Sequence, residues 1–104
     1  MKKYIAYILI ICIVLSITGC VSSSNQVAEK AVKVLHSYLN AEITAQIAFG
    51  KLDVIHDELG ENPKKDGAIV AAWISTAQYE LLQPYVDREK IEKYLHYLEE
   101  QAQK

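Results

Sequence analysis

Three histidines, thirteen carboxylates and two cysteines are the side chains in this sequence best suited to hold a metal or move a proton. Asp53 and His56 are three residues apart and Glu92 and His96 four apart. On helices each pair would share a face and could offer an oxygen and an imidazole nitrogen to one cation. A carboxylate-bridged di-metal bundle needs Glu-x-x-His pairs on two helices and further inward glutamates on the others. Here the three-residue spacing uses an aspartate, and the pair that uses glutamate has the wrong spacing. His36 stands alone, and hydrated surface histidines are the simpler account of all three. No metal or other cofactor is therefore expected. Nucleophilic catalysis lacks its parts as well, with no G-x-S-x-G turn and no glycine-rich phosphate loop. Adjacent acids such as Asp57-Glu58 and Glu99-Glu100 point about 100° apart on a helix, which suits a solvated face rather than an acid/base pair. No catalytic residue is assigned, and no enzymatic activity is expected.

The cysteines point to a different chemistry. Lys2 and Lys3 precede an apolar stretch from Tyr4 to Leu15, and Ile17-Thr18-Gly19-Cys20 follows it. The apolar run is shorter than the roughly 20 residues of a transmembrane helix and suits the hydrophobic region of a signal peptide. In this order, the segment resembles the signal peptide of a bacterial lipoprotein, whose lipobox reads roughly Leu-Ala/Ser/Thr-Gly/Ala-Cys. The resemblance covers residues 1–20 only. It implies cleavage between Gly19 and Cys20 and attachment of diacylglycerol, with palmitate-type acyl chains, to the Cys20 sulfur. It also implies a chain tethered to the cell membrane on the extracytoplasmic side. Val21 after the cysteine, rather than an aspartate, implies the outer membrane if the host is Gram-negative. Each buried methylene contributes about 0.8 kcal/mol, so two or more acyl chains hold where one binds marginally.

Without residues 1–19, nine Lys/Arg stand against thirteen Asp/Glu, a formal charge of −4. A mildly acidic chain with no basic run is a poor nucleic-acid binder, and none is expected as a partner. Cys12 leaves with the signal peptide and Cys20 is blocked by lipid, so no disulfide is expected. A single small domain must then be held by helix packing, self-association or a partner.

The elements that must position these residues read as helices. Val21 to Asn25 suits a short flexible tether, so that residues 20–25 form the lipidated cysteine and linker and 26–104 the helical domain. Val27, Ala31, Val34, Tyr38, Ala41, Ala45, Ala48, Leu52, Ile55 and Leu59 alternate four and three apart, and all are apolar or aromatic. This spacing predicts one long helix over about 26–59 with a coiled-coil seam, about 50 Å long. Gly60 suits the left-handed residue that ends it. The alanines at 41, 45 and 48 let a neighbouring helix approach closely, whether this chain or another supplies it. Asn62-Pro63 and Asp66 offer caps for a second helix over about 64–83, with Val70, Trp73, Ile74, Ala77 and Leu81 on one face and Pro84 beyond its end. Asp87 caps a third, over about 87–103, with Ile91, Tyr94, Leu95, Leu98 and Ala102 on one face. The expected fold class is all-α, a long helix with two shorter ones folding back as a small helical bundle.

Tyr79, Tyr85 and Tyr97 fall off these stripes and are the candidates for an interaction surface, whereas Trp73 and Tyr94 suit the core. The function expected is that of a small, non-catalytic, membrane-anchored lipoprotein that contacts an envelope protein as an accessory or exclusion-type factor. Two alternatives remain: a small-ligand or metal-binding module near His56 or His96, and a structural lipoprotein that self-associates through the seam.

Overall fold

The computed structural model describes residues 23–104. The expected signal peptide, its cleavage point at Gly19 and the lipidation site Cys20 lie outside the described residues. Four helices follow in the chain: α1 (Ser24–Leu39), α2 (Ala45–Asp57), α3 (Lys65–Leu81) and α4 (Arg88–Ala102). Among the described residues there is no strand, and no helix is long and apolar enough to cross a membrane. The all-α bundle expected from periodicity is the fold observed. α1 already begins at Ser24, so Ser24 and Asn25 belong to its first turn rather than to a linker.

The long helix expected over 26–59 is two helices. The chain reverses at Asn40–Thr44, where Ala41 adopts φ of 60°. The Ala41 N–H donates to the Tyr38 carbonyl at 3.0 Å and the Glu42 N–H to the Ser37 carbonyl at 2.9 Å. This is the Schellman pattern that closes a helix through one left-handed residue. Thr44 then caps α2, its hydroxyl oxygen accepting the Ile47 N–H at 3.2 Å. Ile43, just before the cap, packs against the core, the place a hydrophobic staple uses to fix the entering chain. An alanine in the left-handed region costs on the order of 1 kcal/mol, which is why the sequence reads as continuous helix here.

The turn folds both halves of the seam onto one core. Val27, Ala31 and Val34 from α1 and Ala48, Leu52, Ile55 and Leu59 from α2 and its C-terminal turn are buried, while Tyr38 and Ala45 are half-buried and Ala41 is exposed. The seam is internal packing of an αα-hairpin. α3 adds Val70, Ile74, Ala77 and Leu81, and α4 adds Ile91, Leu95 and Leu98. Neighbours pack in the ring α1–α2–α3–α4–α1, and α1 also reaches α3 across the centre. Successive helices are antiparallel, as the cross-links at both ends show. At one end Lys30 pairs with Glu58 at 2.7 Å. At the other, the Arg88 guanidinium donates to the Leu39 carbonyl at 2.7 Å.

The remaining turns are chemically plain. Gly60, with φ of 80°, follows α2 in the left-handed conformation. α3 is entered through Lys64, in extended geometry and without a side-chain cap, so neither Asn62 nor Asp66 is the cap; Asp66 lies in the first turn. Close packing dictates this entry. A Cβ on buried Gly67 would lie 2.9 Å from the Pro63 Cβ and 3.6 Å from Leu59 Cδ2. Asp87 caps α4 as expected, accepting the Glu89 N–H at 3.0 Å.

Two opposite substitutions test this description. Ala41→Gly relieves the left-handed strain and is expected to raise unfolding free energy by about 0.5–1 kcal/mol in urea titrations. Gly67→Ala forces Pro63 or α3 to move, and is expected to lower it by about 1–2 kcal/mol despite the better helix propensity of alanine.

Candidate contact surface

The residues with metal-binding or acid/base chemistry do not converge. Asp53 faces Gln78, whose side-chain amide lies 3.5 Å from its Oδ1 and donates to the Phe49 carbonyl at 3.2 Å. His56 is half-buried near the end of α2, His36 is exposed on α1, and His96 is exposed on α4. His96 lies 3.4 Å from Glu100, one turn onward, rather than against Glu92. Among the described residues, no group of three or more His, Cys, Asp or Glu side chains gathers where a metal ion could sit.

Periodicity missed two buried polar residues, Gln78 and Glu80, both on α3. Gln78 satisfies its amide on α2, and the Glu80 carboxylate accepts the Asp87 backbone N–H at 3.0 Å. Glu80 therefore holds the first residues of α4 against the last turn of α3. Nothing in the local pattern marks either residue, because their partners lie 7 to 29 positions away in the sequence. Every buried side-chain polar atom among the described residues has a hydrogen-bond partner.

The three off-stripe tyrosines separate into two environments. Tyr97 is half-buried and stacked on Trp73, with ring centroids 4.3 Å apart and planes 15° apart; Tyr94 lies 5.9 Å from the same indole. Tyr97 thus works with Trp73 and Tyr94 in a cluster joining α3 to α4. Such aromatic pairs contribute about 0.5–1.5 kcal/mol beyond their buried area. Tyr79 and Tyr85, by contrast, line one shallow depression at the α3–α4 turn with Gln83, Pro84, Asp87 and Lys90. Tyr79 is 69% exposed, Tyr85 93%, and Leu82, one turn beyond Tyr79, 64%. The local backbone is well held: Gln83 donates to the Tyr79 carbonyl at 3.2 Å, and Glu80 anchors the far side through Asp87. Two aromatic rings and a leucine are thus presented to solvent on a fixed turn, and exposed tyrosines are enriched at protein interfaces. Leu82 had not been singled out by sequence, because an apolar residue just past Leu81 reads as more of the core face.

A second apolar surface lies on α2, where exposed Ile47 and Val54 flank Gly50 with Val34 at the rim. Comparison with protein-family models, with curated proteins and with solved structures finds no match to this chain.

Glu80→Ala leaves the Asp87 N–H without its acceptor and is expected to cost about 1–2 kcal/mol in urea unfolding, whereas Glu80→Gln, which keeps an acceptor oxygen, should cost less. Tyr79→Ala and Tyr85→Ala remove exposed side chains and should change stability by no more than about 0.5 kcal/mol.

Proposed function

We propose that this chain is a non-catalytic, lipid-anchored protein of the bacterial envelope that acts by binding another envelope protein through the α3–α4 turn. The observation that carries the reading is the exposure of Tyr79, Leu82 and Tyr85 together on a turn braced by Glu80 and Gln83. Large side chains that could bury apolar area are left in water, on a backbone already fixed for contact. The lipobox-like Ile17-Thr18-Gly19-Cys20 supports the anchor and the extracytoplasmic placement. Self-association through the heptad seam is the weaker alternative, since seven of its ten residues are buried in the chain's own core and exposing them would undo the hairpin.

Two measurements on the full chain in cells test the reading. An alkyne-bearing palmitate analogue is expected to label the protein, and Cys20→Ser should abolish the label. A photo-reactive residue at position 85 is expected to form a discrete adduct that the same residue at exposed position 36 does not. Tyr79→Ala combined with Leu82→Ala should remove that adduct without loss of the protein. Equal adducts at both positions, or none at 85, would sink the contact surface; an unlabelled protein would sink the anchor.

A further inference from the structure

We infer that the bundle stands end-on at the membrane, with the pole formed by Ser23 and the α2–α3 loop resting on the phospholipid headgroups. This rests on the lipid-anchored reading above. Its basis is where the described chain starts. α1 begins at Ser24, which leaves only residues 21–23 between the lipid-bearing Cys20 and the first helical turn. Four residue steps span at most about 14 Å when fully extended. The headgroup layer is itself about 6 Å deep on each side of a bilayer. A tether this short keeps the start of α1 within about 8 Å of the headgroup surface even when fully extended.

The antiparallel topology then decides what else lies at that level. Ser23 and Ser24 share an open depression of about 500 Å³ with Leu59 and with the 62–67 segment that leads into α3. Its floor is mostly apolar, with Leu59 and Pro63 more enclosed, while the side chains of Asn62, Lys64, Lys65 and Asp66 stand exposed around it. Two ammonium groups beside a carboxylate and hydroxyls match the alternating charges of a zwitterionic headgroup layer better than they match acyl chains. Opposite this pole, about 24 Å away along the 16 residues of α1, lie the Asn40–Thr44 turn and the start of α4, joined through Arg88. The Tyr79–Tyr85 depression belongs to that far pole. The anchor and the contact turn thus sit at opposite ends of the bundle, and the partner is met about one helix length above the lipid. A bundle lying flat on the apolar α2 face would instead bring Ile47 and Val54 to the lipid.

The test uses the lipidated full chain, reconstituted in phosphatidylcholine vesicles containing a lipid with a nitroxide on its headgroup. With Cys20 acylated, the mature chain has no free thiol, so single variants Lys64→Cys, Ile47→Cys and Tyr85→Cys can each carry an environment-sensitive dye. All three native residues are exposed, so the labels should leave the fold intact. Loss of most of the fluorescence at position 64, with little loss at 47 and 85, is the expected result. Quenching at 47 or at 85 comparable to that at 64 would show a flat bundle, and quenching at 85 alone an inverted one; either overturns the end-on placement while leaving the anchor standing. Mass spectrometry of the same sample separates the two failures, because an unmodified Cys20 would overturn the anchor and the placement together.

Discussion

Ala41 holds a backbone conformation that an L-residue resists, and the four-helix arrangement depends on it. The cost, on the order of 1 kcal/mol, is small beside what the reversal makes available. It brings the apolar faces of α1 and α2 together, and with Leu59 just beyond α2 they supply more than half of the buried apolar side chains. A straight helix over the same residues would leave that face in water unless a second chain covered it. A small domain with no expected disulfide has little stability to spare. Folding the seam back on itself is therefore the arrangement that lets one chain complete its own core.

The polar contacts fix the ends of what the apolar core brings together. Lys30 and Glu58 link α1 to the end of α2, Arg88 links the start of α4 to the end of α1, and Glu80 ties the α3–α4 turn through the Asp87 N–H. The Lys30–Glu58 pair is partly exposed, so it adds registration more than net stability. Glu80 is the exception, because it is buried and its acceptor role cannot pass to water without moving the turn. The same contact that closes the bundle at this end also holds Tyr79 and Tyr85 in place. Stability and the presentation of the exposed tyrosines are coupled through one carboxylate.

The molecule is divided along its length. The middle is an apolar core in which large and small residues alternate, such as Leu52 with Ala48 and Ile74 with Ala77. One pole carries the polar α2–α3 loop beside the start of α1, and the other carries the exposed aromatic turn. On the function we propose, attachment lies at the first pole and contact at the second.

The amino-acid sequence by itself determined the helical class, the breaks around Gly60–Pro63 and Pro84 and the cap at Asp87, because glycine, proline and capping residues act on their immediate neighbours. It also determined most of the buried apolar residues, since seven of the ten seam positions lie in the core. It could not distinguish a straight helix from a hairpin over 26–59. The spacing four, three, four passes through the turn without interruption, and alanine gives no sign of a left-handed residue. Only the tertiary structure decided that Tyr97, which the spacing groups with the exposed Tyr79 and Tyr85, belongs with Trp73. Only it could place Gln78 and Glu80 in the interior, because burial of a polar group depends on a partner elsewhere in the chain. Local rules fix local geometry, whereas the pairing of faces is set by the packing of all four helices together.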